Sequence, residues 1–340
     1  MLPAMSRRLS SAMFALIAAA VLVGCGSDGT DGPGSTATSA AAPSPSPATP
    51  SPTGPADLAI QVTGPIGLAT TGGDALWAVS SDQDAVVRID PSTGQVRGTV
   101  EVGDTPLRLA ADGDLLWVTV FRAGQVVAID TASGEIAHTV RLGDGPEGVA
   151  VGHGAVWVVR QDAAKLTRLS KTGKVLGHTP LGLQPRLVAI GSDHVWVANF
   201  GAGTLTRIRP DGSGAKTTGK ICDGAQGIAV GAGVVWVTCT TGDEVVAVDV
   251  ATLRVRGRLQ VEDEPDAIRL LDRHLWVVTT AGPTLVEIDP DPDAPAELDR
   301  IPLGDAPALF DQGNVDLTAT GNALWVSSFG EDRVYRVRPD

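Results

Sequence analysis

Apolar and polar residues alternate along many short runs of this chain, and the runs recur at a nearly constant spacing. Tryptophan marks the repeat most clearly: it stands at positions 77, 117, 157, 196, 236, 276 and 325, in steps of 40, 40, 39, 40, 40 and 49 residues. Alternation with a period of two is typical of β-strands with one buried face. A repeat of about 40 residues is typical of a four-stranded propeller blade. The pattern therefore predicts seven blades.

Each repeat contains the same order of predicted elements. An apolar strand and a short Gly/Asp turn lead to a second strand with the tryptophan, and a loop then leads to a third strand such as 87–90, a turn such as 91–94 and a fourth strand such as 96–102. Asp90 can accept hydrogen bonds from the turn that follows it, and Gly94 tolerates the positive φ of a tight hairpin. The predicted fold class is all-β, a seven-bladed β-propeller of four-stranded antiparallel blades. The tryptophans would fill the wedges between blades, or alternatively stack on a ligand from exposed loops.

The two ends of the repeat region complement each other. The seventh repeat has strands at 315–320, 323–328 and 333–338 and is then one strand short, whereas an unpaired strand at 58–62 precedes the first repeat. Pairing 58–62 with 334–337 would complete the last blade and remove an exposed sheet edge. The sequence therefore predicts a propeller closed by its N-terminal strand.

Composition agrees with this fold and excludes one class of partner. Hydrophobic residues make up 43% of the chain, and 41 glycines and 23 prolines divide it into short elements. The formal net charge is −13, and without Arg7 and Arg8 the chain keeps 24 basic residues against 39 acidic ones, a net charge of −15. Because such a surface repels phosphate backbones, we expect no nucleic-acid partner. We also expect a monomer.

The N-terminus has the features of an export signal. Arg7 and Arg8 precede an apolar run at 13–23 that is too short to span a membrane, and the run ends in Leu22-Val23-Gly24-Cys25. This ending resembles the bacterial lipobox, which implies acylation of Cys25 (palmitate) and attachment to the extracytoplasmic face of the cell membrane. The alternative is an ordinary signal peptide and a secreted protein. The predicted segments are a signal peptide at 1–24, a lipidated cysteine with a flexible Pro/Ser/Thr/Gly-rich linker at 25–56, and the propeller at 57–340.

Two cysteines remain after Cys25. Cys222 and Cys239 are predicted at the same end of one blade, in a chain expected to reach an oxidising compartment. A disulfide is the leading interpretation, and two buried free thiols are the alternative.

Three repeated motifs point to a known family. They are Pro146-Glu147-Gly148-Val149-Ala150, Trp196-Val197-Ala198-Asn199, and Arg88-Ile89-Asp90-Pro91-Ser92-Thr93-Gly94. Between about Ala56 and Asp340 the chain resembles the YVTN and virginiamycin B lyase-like propellers. The resemblance implies a site at the channel mouth, where the lyases are expected to use acidic residues, a magnesium ion and a histidine after the proline of a blade. Because this fold carries many functions, the motifs are specific for architecture only.

The candidate ligand-binding residues lie on the loops at one end of the channel. A first ring follows the start of each first strand and consists of Ile66, Leu107, Glu147, Arg186, Gln226, Asp266 and Val315. It is polar in blades three to six and apolar in the others, which suits an amphipathic ligand. A second ring comprises Phe121, Arg122, Arg160, Asn199, Phe200 and Phe329. The alternative is that the charges solvate the rim and the aromatic rings plug the channel.

The long last step and the histidines bear on function. About seven extra residues precede Trp325, and they include Phe310, so this loop is either a lid over the channel or a tolerated insertion.

None of the first-ring positions is histidine, and the five histidines are predicted in turns on the opposite face or in outer strands. We therefore expect a non-catalytic binding or scaffold module for a small molecule, glycan or protein, with no catalytic residue, metal or cofactor assigned. The alternative is a virginiamycin B lyase-like or lactonase-like enzyme that uses carboxylates and a divalent cation such as Mg²⁺.

Overall fold

A computed structural model describes residues 56–72, 75–304 and 315–339. The signal peptide, the linker up to residue 55, Cys25 and Phe310 lie outside these residues. Among the described residues, no helix is long and apolar enough to cross a membrane.

Within the described ranges almost all regular structure is β-strand, apart from three short 3₁₀ turns at Ser81–Gln83, Thr240–Gly242 and Phe329–Glu331. The strands of the closing segment and the first three blades are β1 (Leu58–Gln61), β2 (Pro65–Thr71), β3 (Ala75–Ser80), β4 (Ala85–Ile89), β5 (Val96–Glu101), β6 (Pro106–Asp112), β7 (Leu115–Val120), β8 (Gln125–Asp130), β9 (Ile136–Arg141), β10 (Pro146–Gly152), β11 (Ala155–Arg160), β12 (Lys165–Leu169) and β13 (Val175–Pro180). Those of blades four to seven are β14 (Pro185–Ile190), β15 (Val195–Asn199), β16 (Thr204–Ile208), β17 (Lys216–Thr217), β18 (Ala225–Gly231), β19 (Val234–Cys239), β20 (Glu244–Asp249), β21 (Val255–Gln260), β22 (Pro265–Leu271), β23 (His274–Thr279), β24 (Thr284–Asp289), β25 (Ala296–Pro302), β26 (Leu317–Thr320), β27 (Ala323–Ser328) and β28 (Arg333–Val337).

The strands form seven four-stranded antiparallel sheets, which confirms the predicted propeller. Six sheets take consecutive strands, and the seventh has the order β1-β28-β27-β26. The first strands of successive blades pack side by side from β2 to β26, and β26 packs back on β2, which closes the ring.

The predicted closure by the N-terminal strand is confirmed. Residues of β1 pair with β28 in antiparallel register, with Ala59 opposite Tyr335 and Ile60 opposite Val334. The strand ends at Gln61, one residue earlier than predicted. An ion pair from Arg336 Nε to Asp57 Oδ1, 2.8 Å long, adds to the closure.

All seven tryptophans are buried on the second strands, so their predicted packing role is confirmed. Each fills the space toward the next blade; Trp117, for example, packs in one core cluster with Val149, Val156 and Val158 of blade three. Arginines of the third strand stack on three of them and donate to a backbone carbonyl of the following blade: Arg88 to Thr131 at 3.2 Å, Arg168 to Asp211 at 3.1 Å and Arg336 to Pro91 at 2.8 Å. These arginines connect neighbouring blades.

The predicted turn chemistry is also present. Asp90 Oδ1 accepts hydrogen bonds from the backbone N–H groups of Ser92 and Thr93 at 2.9 and 3.1 Å. Gly94 has φ of 73°, in the left-handed region that a side chain disfavours.

Candidate ligand-binding site at the channel mouth

The start of each first strand and the end of each second strand lie at the same end of the blade. Pro146 pairs with Arg160, Pro185 with Asn199, and Ala225 with Cys239. The first-ring and second-ring positions therefore come together at one end of the channel, which we call the mouth.

The first ring divides into an apolar and a polar half. Ile66 and Leu107 pack in one core cluster, against which the half-buried Phe121 and Phe329 also pack. The polar half consists of Glu147, Arg186, Gln226 and Asp266. Three of these four are at most 3% exposed, whereas 28% of the Arg186 side chain is exposed.

Arg186 is the polar group of the ring that solvent reaches. Its guanidinium carbon lies 4.6 Å from the centroid of the Phe200 ring, and its Nη1 is 3.7 Å from Glu147 Oε1, too far for a hydrogen bond. Among the described residues, Arg186 Nε and Glu147 Oε2 are buried and have no hydrogen-bond partner. Buried polar atoms without partners are uncommon in folded proteins, so this pair has unused hydrogen-bonding capacity.

The two buried carboxyl groups have raised pKa values. Burial raises the pKa of Glu147, and the charges of Arg186 and Arg108 oppose this effect. Burial also raises the pKa of Asp266, to about 6, against the charge of Arg108 and a hydrogen bond of 2.6 Å that Gln226 Nε2 donates to Asp266 Oδ1. The polar half thus holds carboxyl groups that bind protons more readily than exposed ones do.

Two charged residues directly beside the first ring were not among the sequence candidates. Arg108 and Asp316 occupy the position after the first ring, where three other blades have glycine. Arg108 is 5% exposed and donates from Nη1 to the Val315 carbonyl at 2.9 Å. Asp316 accepts backbone hydrogen bonds from Leu68 and Leu317 at 2.9 and 2.8 Å. A position-by-position comparison of the repeats would identify both residues, because each is a charged residue at a position where several blades have a small one.

Solved structures share this architecture at low sequence identity. No family model matches the sequence, and no curated protein matches it with significance. Virginiamycin B lyase from Staphylococcus aureus superposes with a TM-score of 0.71 at 16% identity, over 83% of this chain and 99% of that one. The chain has the fold of virginiamycin B lyase. A chain of a mitotic checkpoint complex (TM-score 0.74, 12% identity, 88% and 96% covered) and BamB from Moraxella catarrhalis (0.59, 16%, 80% and 82%) are also similar. At these identities the likeness shows the fold alone.

All five histidines lie away from the mouth of the propeller. His153 and His194 are in turns between first and second strands, and His274 begins β23 at the same end. His138 and His178 are in the outer strands β9 and β13. The acid and base groups within the described part of the mouth are therefore carboxyl and guanidinium groups.

The second-ring residues have different environments. Phe121, Phe200 and Phe329 are half-buried and Arg122 is exposed, while Arg160 forms an ion pair with Asp144. Asn199 is fully buried: its Oδ1 accepts from the Gly182 backbone at 3.0 Å, and its Nδ2 donates to Thr206 Oγ1 at 2.9 Å. These bonds hold the loop before β14, so Asn199 supports the rim from within.

The predicted disulfide is confirmed. Cys222 and Cys239 are bonded, with Cα atoms 6.0 Å apart, and the bond joins the loop before β18 to the end of β19. Within the described ranges, the one group with metal-ligand spacing is Cys222, Cys239 and Glu244, and its two sulfur atoms are used by the disulfide.

Replacing both cysteines by serine is expected to lower the free energy of unfolding by about 3 kcal/mol, because the bond closes a loop of 17 residues in the unfolded chain. Urea unfolding with and without reductant measures the effect. Reductant should destabilise the wild type and leave the double variant unchanged. Equal urea midpoints for the two proteins without reductant would contradict the prediction.

The buried Asp266 makes the free energy of unfolding depend on pH. Its pKa is about 6 in the folded protein and near the ordinary 3.8 in the unfolded chain, so between these values the folded state binds more protons. Stability from this group is therefore present below about pH 4 and is lost as the pH rises to about 6. Relative to Asp266→Asn, which keeps an oxygen for Gln226, the wild type should lose about 2 kcal/mol across that range. Urea unfolding at pH 4 and pH 7 tests this, with the exposed Asp104→Asn as control; parallel pH curves for wild type and Asp266→Asn would refute it.

Proposed function

We propose that this chain is a lipoprotein, anchored through Cys25 to the extracytoplasmic face of the cell membrane, whose propeller binds a partner at the mouth without catalysis. One observation carries the binding proposal: Arg186 and Glu147 have buried polar atoms without partners, beside an aromatic ring and opposite an apolar half-ring. A lyase, a checkpoint-complex chain and BamB have similar folds, so the fold does not decide the function. The proposal therefore rests on the local features of the mouth.

Arg186 has the geometry of a recognition residue. Its stacking on Phe200 fixes the guanidinium plane while leaving N–H groups free to donate, and its 3.7 Å separation from Glu147 leaves the ion pair without a hydrogen bond. A partner that offers acceptor oxygens would satisfy these donors. Phe121 and Phe329 would contact its apolar side. The partner is thus an amphipathic small molecule, a glycan or a protein segment.

A thermal-shift screen tests the binding proposal. Metabolites, glycans and peptides are screened against the wild type, an Arg186→Ala/Glu147→Ala double variant and an Arg97→Gln control, whose side chain is on the outer strand β5. A true partner should raise the Tm of the wild type and of the control, and lose that effect in the double variant. Partners that stabilise all three proteins equally would contradict a site at the mouth.

Membrane attachment is tested separately. Cys25→Ala should move the protein from the membrane fraction to the soluble fraction, since acyl chains on this residue would be the anchor. Metabolic labelling with a palmitate analogue should label the wild type and not the variant. An unlabelled wild type would contradict lipidation.

A second candidate function is an enzyme at the same mouth. The raised pKa values of Glu147 and Asp266 favour it, because a carboxyl group that titrates closer to neutrality can transfer protons. An enzyme that uses Mg²⁺ there would be stabilised by the ion. Titrating Mg²⁺ while following Tm decides between the two: stabilisation that Glu147→Gln and Asp266→Asn both remove would support the enzyme, and its absence supports the binding module.

A further inference from the structure

A cavity of about 230 Å³ lies in the central channel, and residues from all seven blades line it. Its apolar lining lies two positions beyond the first ring along the first strands, and so deeper in the channel than the mouth. It includes Leu68, Leu109, Val149, Val188, Ile228 and Ile268. Pockets for drug-sized ligands measure about 300–1,000 Å³, so this cavity suits a smaller molecule.

Arg269 interrupts the repeat at this depth. In every blade the residue at its position pairs with the tryptophan of the second strand, and Arg269 pairs with Trp276. The other six are Ala69, Ala110, Ala150, Ala189, Ala229 and Thr318. An arginine therefore replaces alanine at a site where alanine suffices for the blade, and it lines the cavity.

The charged groups that line the cavity differ in how they are bonded. The Asp316 carboxylate accepts two backbone hydrogen bonds, and Arg108 donates to the Val315 carbonyl. Arg269 is half-buried, and within residues 56–72, 75–304 and 315–339 its side chain forms no hydrogen bond or ion pair. Its guanidinium nitrogen atoms are not buried, so within the cavity they reach solvent and can donate hydrogen bonds to an anion.

We infer that the channel cavity binds a small organic monocarboxylate. The carboxylate forms a bidentate pair with Arg269, and a short apolar body packs against the aliphatic lining. A phosphate fits less well, because its second negative charge would lie in the same cavity as the Asp316 carboxylate. This site is separate from Arg186 and does not rest on the function proposed for the mouth.

The experiment compares acids with their uncharged amides. Benzoate, isovalerate, benzamide and isovaleramide are titrated by calorimetry and ligand-observed NMR into the wild type, Arg269→Ala, Arg269→Met and Arg186→Gln. The wild type should bind at least one acid with a Kd of about 1 mM or tighter, and its amide at least about tenfold more weakly. Both Arg269 variants should lose at least about tenfold in affinity for the acid, and Arg186→Gln should bind as the wild type does.

Because alanine occupies this position in five blades, Arg269→Ala is expected to fold with an unchanged or higher Tm. The assignment is overturned if neither acid binds, if acid and amide bind equally, or if both Arg269 variants bind as the wild type does. A Tm of Arg269→Ala lower by about 5 °C or more would give the arginine a structural role and would also overturn it. If the screen at the mouth finds no partner, this experiment still tests the cavity, because Arg186→Gln changes the mouth and leaves Arg269 in place.

Discussion

Deleting residues 57–63 is expected to lower the Tm by about 10 °C or more. This segment contains β1, the strand that completes the seventh blade by pairing with β28. Ile60 and Val62 are only 6% and 4% exposed, and burying each such side chain contributes about 1.5–3 kcal/mol. Together with the strand hydrogen bonds and the Asp57–Arg336 ion pair, the loss comes to about 5 kcal/mol, which is a large share of the stability of an ordinary domain.

The deletion also leaves β28 as an unpaired edge. Exposed sheet edges promote association, so the truncated protein should aggregate as it unfolds. Deleting 42–48 from the linker removes the same number of residues and should leave the Tm unchanged. Calorimetry of the three proteins makes the comparison, and a β1 deletion with a wild-type Tm would refute the closure.

Gly148→Ala is expected to destabilise the propeller by about 3 kcal/mol. A Cβ at this position would lie 2.4 Å from the Arg186 carbonyl oxygen and 3.0 Å from Leu187 Cα, both of which are backbone atoms of the next blade. The main chain of blade four would have to move, because no side-chain rotation relieves such a contact. Since Arg186 belongs to the mouth, the variant should also weaken the binding of any partner that requires Arg186.

Gly98→Ala is the matched control for this substitution. It lies on the exposed outer strand β5, and a Cβ there meets no atom within 4 Å. Alanine should stabilise that strand slightly, by about 0.5–1 kcal/mol. Urea unfolding measures both variants, and equal stability of the two would show that the blades are not in close contact at Gly148.

The architecture could be predicted from the sequence because it depends on local and periodic signals. The tryptophan spacing, the Asp90-type turns and the missing strand of the last repeat each predict one feature of a closed ring. The disulfide followed from placing Cys222 and Cys239 at the same end of one blade. These inferences need only strand order and the direction in which each strand runs.

The chemistry of the site was predicted less completely, because it depends on contacts between blades. The sequence placed Glu147 and Arg186 on one ring but could not show that their ion pair is 3.7 Å long or that Phe200 lies under the guanidinium. Asn199 was expected on the rim surface and is instead fully hydrogen-bonded inside it. Its partners are Gly182 in the loop before β14 and Thr204 and Thr206 on β16, and the sequence alone does not show that they converge on its side chain.

The first ring does not include Arg108, Asp316 or Arg269. Each stands at a neighbouring repeat position that most blades fill with a small residue, so the ring pattern alone does not identify them. The arginine at 269 has no counterpart in the other six blades, so a charge that departs from a repeat is itself a signal of function.

A crystal structure of the propeller with the best-binding partner of the screen would show whether that partner binds at the mouth through Arg186 and Glu147. We expect ligand density within hydrogen-bonding distance of the Arg186 guanidinium, with the apolar part of the ligand against Phe121 or Phe329. Density confined to the outer strands, or to the face that carries His153 and His194, would contradict it.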